Sequence, residues 1–439
     1  MLGGGIARQG VQIQIIGDQP KSDIHGLISR FARIRNDRND VRQRYEPVKI
    51  IIGTESFAPN ISGVAVVTEL LAKSLARVGH EVHVFAPSRS YRTYTDFTLG
   101  SFPVLRLRSF QNPFRKEFRI ALLPRRQITR AIRNIRPDIM HLQDPGSVCS
   151  AMRKVGNRSN IPVIVSNHFT LEYVLSYMRC LAPLHPIMRS MLLRYLVRFY
   201  NRCDYVLCPT ETVKHELESW GVSTPIKEVS NGVDLERFYS YSSPSAVRAK
   251  YQLNADPVVL YVGRMDKDKD LQVLIRAIPH VLRSAAAHFI FVGNGDRSQK
   301  LKTLAQRLKV AHKISFLGWI NHESPDLPEI YQVASVFAIP SSVEAQSIVT
   351  LEAMASGLPV VAANGGALPE LVRHGENGLL FPPGDSECLA ERIVAVLRDR
   401  DLYAQMRKRS LEIVSQHRIA ESYNKIESIY EEVLRQSSP

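Results

Sequence analysis

Val258-Val259-Leu260-Tyr261-Val262-Gly263, followed by Arg264-Met265-Asp266-Lys267-Asp268-Lys269, is the stretch whose reading decides the fold. An unbroken apolar run that stops at a glycine is the pattern of a strand buried on both faces of a parallel sheet. Val48-Lys49-Ile50-Ile51-Ile52-Gly53 repeats it earlier in the chain, followed by a loop with Pro59, Asn60 and Gly63, a helical pattern over 66–78 and a second buried run over 81–85. Further strands are expected at 139–142, 163–166 and 205–209, separated by helical stretches. The series restarts at 258–263 and continues at 288–292, 314–317, 336–339 and 360–362, with helices expected over 270–284, 298–308, 346–355 and 386–397. Residues 225–244, rich in Ser, Asn, Gly and Pro, separate the two series. The chain therefore reads as α/β, two doubly wound Rossmann-like domains over 47–235 and 236–417 that face each other across a cleft. Residues 1–46 show no sustained periodicity and read as a basic, poorly ordered extension; residues 418–439 read as a final helix.

The 439 residues are 44% hydrophobic and 23% charged, enough for a large core and incompatible with a disordered chain. Five scattered cysteines exclude a disulfide scaffold and a zinc ribbon. No apolar run reaches the roughly 18–20 residues that span a bilayer, and residues 1–18 lack the pattern of a secretory leader. A cytoplasmic location with peripheral membrane contact at the inner face of the cell membrane is the expectation. The net charge of +15 is lopsided: residues 1–235 hold 33 basic and 19 acidic residues, and 236–439 hold 24 and 23. Between Arg106 and Arg136 there are ten basic residues and a single acid, Glu117. Residues 179–202 interleave Arg179, Arg189, Arg194, Arg198 and Arg202 with apolar residues, which suits either a basic amphipathic helix on a membrane or a helix with an ordinary core face and a solvated one. The excess charge points to an anionic membrane surface. No helix-turn-helix or aromatic-rich RNA motif supports a nucleic-acid partner, so none is expected.

Ligands in such sheets sit at the carboxyl ends of the strands, so the loops after each strand hold the candidate chemistry. Gly263 lets backbone approach a ligand, and Arg264 and Lys269 place two cations beside a helix start, where N–H groups already favour an anion. Together they suit a diphosphate, unless Asp266, Asp268 and Asp270 merely neutralise them on a solvated surface. The positions after Asp266 lack the glycine and glutamate of an EF-hand, so no metal is expected there. Val292-Gly293-Asn294-Gly295 repeats the strand-then-glycine pattern and would admit a nucleotide. Glu344 and Glu352, eight residues apart, fall in the loop before a helix and two turns inside it, where one suits a sugar and the other ribose hydroxyls. Glu370, Gly375 and Gly378 read as a surface loop. In the first domain the Asn60-Ile61-Ser62-Gly63 loop offers backbone donors opposite the diphosphate. His168 ends one strand as an acid/base or sugar-binding candidate, and His141-Leu142-Gln143-Asp144 supplies polar groups at the same edge. G-x-S-x-G, H-E-x-x-H and Walker A patterns are missing, which disfavours hydrolase, protease and P-loop readings.

Glu344 to Glu352 followed by Ala353-Met354-Ala355-Ser356-Gly357-Leu358-Pro359-Val360-Val361, with Gly263-Arg264…Lys269, Asn231-Gly232-Val233-Asp234 and Gly365-Gly366…Glu370, resembles the retaining glycosyltransferases of family 4, which have the GT-B fold. The resemblance runs from about Val48 to the C-terminus. It implies that the second domain binds a nucleotide sugar and the first an acceptor, and that the last helix, over 418–434, crosses back to the first domain. By motif, Arg264 and Lys269 look like the diphosphate cations, Glu352 the ribose ligand, Glu344 the donor-sugar contact, Gly63 the glycine facing the diphosphate and His168 the histidine near the reacting sugar. Gly293, Ser347 and Ile348 complete the expected donor-binding set. Where the family usually keeps an aromatic-glycine pair, this chain has Gln346-Ser347. The resemblance also implies transfer with retention, without an obligatory metal or other cofactor, from a UDP- or GDP-hexose. The run from Glu55 to Ala65 looks like that of diacylglycerol glucosyltransferases and phosphatidylinositol mannosyltransferases. Transfer from UDP-glucose to diacylglycerol is the favoured expectation. A soluble transferase acting on a sugar or metabolite, a mannosyltransferase using GDP-mannose and an inactive binding module are the alternatives.

Overall fold

The computed structural model describes residues 47–60, 62–113, 118–168, 170–171, 185–239, 244–251 and 253–437. The expected extension over 1–46 lies outside the described residues.

The first sheet contains β1 (Lys49–Gly53), β2 (Glu81–Pro87), β3 (Tyr94–Asp96) and β4 (Val104–Leu107). The short β5 (Ser109–Gln111) and β6 (Arg119–Ala121) pair antiparallel apart from it. After them come β7 (Ile139–Leu142), β8 (Val163–Ser166), β9 (Tyr205–Cys208) and β10 (Ile226–Glu228), giving the order β10-β9-β8-β7-β1-β2-β4-β3. All neighbours are parallel except β3 with β4. The second sheet, entirely parallel, comprises β11 (Val258–Val262), β12 (His288–Val292), β13 (Ile314–Gly318), β14 (Val336–Ile339), β15 (Val360–Ala363) and β16 (Gly378–Phe381), in the order β13-β12-β11-β14-β15-β16. These are the two Rossmann-like halves the periodicity predicts.

The reason the strands read as unbroken apolar runs is visible in their faces. Ile51 packs into one core and Ile50 and Ile52 into another, on the opposite side of the sheet. Val259 and Tyr261 likewise face one core, and Val258, Leu260 and Val262 the other. Each fully buried aliphatic side chain contributes about 1.5–3 kcal/mol, so neither face tolerates a polar residue.

The final helix, Ile419–Ser437, places Ile426, Ile429, Tyr430 and Val433 against Ile50, Ile52 and Ile139 of the first domain. The Tyr430 hydroxyl lies 2.6 Å from His141 Nδ1 at the end of β7. The crossing-back expected of the last helix is thus present. The preceding helix, Arg400–Val414, packs Ile413 and Val414 into the second domain and was not expected.

Two local readings change. The helix expected from Gln346 begins at Ile348, because Ser347 caps it by accepting the Thr350 N–H and Gln346 is drawn to the first domain. Gly378 belongs to edge strand β16 rather than to a surface loop; a Cβ there would lie 2.0 Å from the Val360 carbonyl oxygen. Among the described residues no helix is long and apolar enough to cross a membrane.

Candidate active site

The carboxyl ends of both sheets open onto one cavity of about 320 Å³. Two capped helices start at its walls. Gly63–Val78 begins behind Ser62, whose hydroxyl accepts the Ala65 N–H, and Ile348–Ala355 begins behind Ser347. The first N–H groups of a helix lack partners within it and favour anions. The helices come together at Gly63, where a Cβ would sit 3.4 Å from Ile348 Cδ1.

On the second-domain side, β11 delivers Gly263, Arg264 and Lys269. Gly263 (φ +147°) and Gly293 (φ +126°) follow adjacent strands and pack on each other, so a Cβ on Gly293 would fall 1.9 Å from the Gly263 carbonyl oxygen. This is a backbone reason for Gly293, which does not line the cavity. The Arg264 guanidinium bonds the Asp266 carboxylate and lies 3.2 Å from Asp268 Oδ2. Those aspartates do neutralise it, but in a buried cluster and not on a solvated surface. Lys269 Nζ donates to Glu344 Oε1 at 2.7 Å and lies 3.6 Å from Asp268 Oδ2. Burial alone would lower the lysine's pKa; the Glu344 and Asp268 charges overcome it and hold the ammonium above its usual value. Arg264 and Lys269 are therefore fixed cations at the cavity wall.

Of the expected site residues, Gly63, His168, Arg264, Lys269, Glu344, Ser347 and Ile348 line the cavity; Gly293 and Glu352 do not. The buried Glu352 carboxylate accepts from the Tyr331 hydroxyl at 2.7 Å and lies 2.9 Å from His322 Nε2. His322 and Tyr331 carry no signal in the sequence because they come from separate segments.

Gln346 and its neighbours tie the domains together. Its side chain accepts the Asn231 N–H at 2.7 Å and donates to the Pro209 carbonyl at 3.1 Å and to Ser230 Oγ at 3.0 Å. Thr210 Oγ1 donates to the Ala345 carbonyl at 2.9 Å, and the Glu370 carboxylate accepts the N–H groups of Glu211 and Thr212. Glu370 thus caps a first-domain helix.

On the first-domain side, His168 Nε2 lies 2.9 Å from Gln143 Oε1. An amide oxygen only accepts, so Nε2 carries the proton and Nδ1 keeps the lone pair. Burial lowers the His168 pKa to about 4, and burial together with the His168 charge lowers that of His141 to about 3. Both rings are neutral at physiological pH. Glu55 and Asp144, to which the sequence reading gave no specific role, also line the cavity. Glu55 Oε2 accepts from Ser147 Oγ at 2.8 Å, and its Oε1 accepts the N–H groups of Val148 and Cys149. Asp144 accepts the Glu55 N–H at 2.9 Å and the Gly146 N–H at 3.0 Å. Burial, and for Glu55 also the Asp144 charge, pushes both carboxyls above their usual range. Their ligand atoms and Cys149 Sγ lie within 4.8 Å of one another. Because the carboxylates face N–H and hydroxyl donors and burial holds the thiol neutral, this is a hydrogen-bonded acid pair rather than a metal-ligand set.

Two family models match: Glycosyltransferase Family 4 over residues 61–237 and Glycosyl transferases group 1 over 245–412. The N-acetyl-alpha-D-glucosaminyl L-malate synthase of Bacillus anthracis is 25% identical over 397 residues, covering 88% of this chain and 98% of its own. The alpha-monoglucosyldiacylglycerol synthase of Acholeplasma laidlawii is 25% identical over 371 residues, covering 82% and 91%. Among solved structures, Anabaena HepE in complex with UDP and glucose superposes with a TM-score of 0.71 at 21% identity, covering 88% of this chain and 100% of its own. Matched in both halves, with the GT-B architecture, the chain belongs to the family 4 glycosyltransferases.

Proposed function

We propose that the protein transfers a hexose, with retention of configuration, from a nucleotide sugar to the hydroxyl of a membrane lipid, with UDP-glucose and diacylglycerol as the favoured pair. Arg264, Lys269 and the start of the Ile348–Ala355 helix take the diphosphate, and their fixed charges stabilise it as a leaving group. Glu344 contacts the donor sugar, and Glu352, buried outside the cavity, reaches ribose hydroxyls only by releasing His322. The neutral His168 is a hydrogen-bonding group beside the reacting sugar. A front-face route, in which the departing phosphate oxygen receives the acceptor hydroxyl proton, needs neither a protein nucleophile nor a metal. Support for the donor comes from HepE, solved with UDP and glucose, and for the acceptor from the diacylglycerol-acting relative.

The observation that carries the lipid reading is the helix His185–Tyr200. Leu196, Phe199 and Tyr200 bury one face in the core, as an ordinary helix would. Ile187, Met191 and Tyr195, at i, i+4 and i+8, form a second apolar stripe that is 61%, 65% and 44% exposed, with Arg189, Arg194 and Arg198 exposed around it. An exposed apolar stripe set among arginines suits an anionic leaflet, at the inner face of the cell membrane. The part of this segment before 185 lies outside the described residues.

The test is product formation from a panel of UDP- and GDP-sugars, with and without anionic vesicles containing diacylglycerol. A glycolipid whose formation requires the anionic lipid is the expected result. Transfer to a soluble sugar or to malate, indifferent to vesicles, would establish the soluble-transferase alternative instead.

A further inference from the structure

The second-domain wall of the cavity presents two paired cations, Arg264 and Lys269, together with Glu344, and the first-domain wall presents acids without a cation among its described residues. Among the described residues lining it from the first domain, the charged groups are Glu55 and Asp144, and no Lys or Arg stands among them. The pair is built in by topology. Gly53 and Leu142 are register partners on the adjacent strands β1 and β7, and Glu55 and Asp144 each stand two residues beyond them. The backbone donors that hold both carboxylates leave them no freedom to swing away.

Two further features adjoin this wall. The fully buried Gln143 has an Nε2 with no hydrogen-bond partner, and it borders a small void of about 20 Å³ that shares His168 with the main cavity. That unspent donor is neutral, suited to an oxygen but offering no charge to a phosphate or carboxylate. Tyr195, the last member of the exposed apolar stripe, donates its hydroxyl to the Pro145 carbonyl, the residue after Asp144. The inner end of the exposed stripe is therefore tied to the backbone beside the acid pair.

We propose that this wall takes the hydroxyl of an uncharged lipid and turns away acceptors bearing a phosphate or carboxylate, with Glu55 and Asp144 as the residues that set the discrimination. A hydroxyl can donate to an ionised carboxylate or accept from a protonated one, whereas an anionic group is repelled by the first and meets no Lys or Arg among the described residues of this wall. The inference rests on the transferase reading above and narrows its acceptor.

The native protein tests it without substitution. The nucleotide sugar it consumes is offered with dioleoylglycerol or phosphatidylinositol, at equal mole fraction in phosphatidylcholine vesicles of constant phosphatidylglycerol content, or with L-malate in solution. Dioleoylglycerol is expected to be used at least about tenfold faster than either anionic acceptor, and a smaller preference overturns the proposal. Val64→Lys, which adds a cation to the same wall without touching either carboxylate, and Asp144→Asn are both expected to narrow the ratio; an unchanged ratio in both folded variants also overturns it. If no donor is consumed with any acceptor, the transferase reading falls and takes this inference with it. If phosphatidylinositol or malate is used as fast as dioleoylglycerol, only the acceptor inference falls.

Discussion

Each wall of the cleft is the carboxyl edge of a parallel sheet with a capped helix starting beside it, yet one presents Arg264 and Lys269 and the other Glu55 and Asp144. The charges are also held differently. The cations are pinned by Asp266, Asp268 and Glu344, whereas the acids are pinned by backbone N–H groups and the Ser147 hydroxyl. The same architecture thus carries two different sets of charges because the residues two to seven positions past a strand end differ, which is why function has to be argued from those loops and not from the fold. If Lys269 takes a phosphate oxygen, as proposed, it must exchange some of its bond to Glu344 for it when a donor arrives.

The severest way to break this comparison is to remove the cations. Arg264→Ala and Lys269→Ala are each expected to lower turnover by about 10²–10³-fold and to weaken binding of the nucleoside diphosphate, checked by initial rates and calorimetry. Unchanged affinity in both would sink the phosphate assignment. Lys269→Ala also leaves Glu344 and Asp268 without their shared partner, at a stability loss of about 3 kcal/mol in a denaturant melt; Arg264→Ala leaves the Lys269 bridge in place.

The opposite wall is sharpened by pH. Burial raises the Glu55 and Asp144 carboxyls, so the folded protein retains protons that the unfolded chain releases above its ordinary carboxylate range. Stability from this pair is complete below that range and is lost as pH rises towards the folded values, with a slope of at most about 1.4 kcal/mol per pH unit for each group. The lysine wall, whose pKa is raised and which stays charged throughout, adds no such slope near neutrality. Glu55→Gln is therefore expected to flatten the fall in stability between about pH 5 and 8, measured by urea unfolding across pH. An identical slope in native protein and variant would refute the assignment of raised pKa values to this wall.

Much of this was legible beforehand. The unbroken apolar runs placed the core strands to within a residue or two, and the motif around Arg264, Lys269 and Glu344 picked out one wall of the cavity because those residues sit close in sequence to one strand and one helix. The three-residue β3, β5, β6 and β10 escaped because they carry too little periodicity, β4 because Arg106 interrupts its apolar run, and β16 because its leading Gly378 read as part of a loop. Glu352 was singled out, but its partners His322 and Tyr331 were not, because they converge only in three dimensions. The acid pair escaped for a different reason: Glu55 and Asp144 are 89 residues apart, and only the adjacency of β1 and β7 makes them neighbours. Spacing within one element was readable, and pairing between elements was not.

His168 tests a smaller difference between the walls. With its pKa lowered to about 4 and its Nε2 proton committed to Gln143, it is a poor general base at neutral pH. His168→Ala is expected to reduce kcat by about tenfold, through lost orientation of the sugar, and to leave the shape of the kcat profile unchanged between about pH 6 and 8. Complete loss of turnover with donor binding intact would instead make it the base and displace the front-face route.

The smallest effect concerns the outer surface, where the first half of the chain is again set against the second. The helix Arg125–Ile135 turns Arg125, Arg126, Arg130 and Arg133 onto one open groove, and Leu123, just before it, is 79% exposed. No ion pair to these arginines is found among the described residues. If this face meets an anionic leaflet, each arginine contributes about 1 kcal/mol, so Arg130→Ala should weaken co-sedimentation with phosphatidylglycerol vesicles by about fivefold and lessen its salt dependence. Arg307→Ala, on an exposed helix of the nearly neutral second half, should change neither. Equal losses from both substitutions would mean that the vesicles sense net charge alone, and the asymmetry between the halves would then carry no orientation on the membrane.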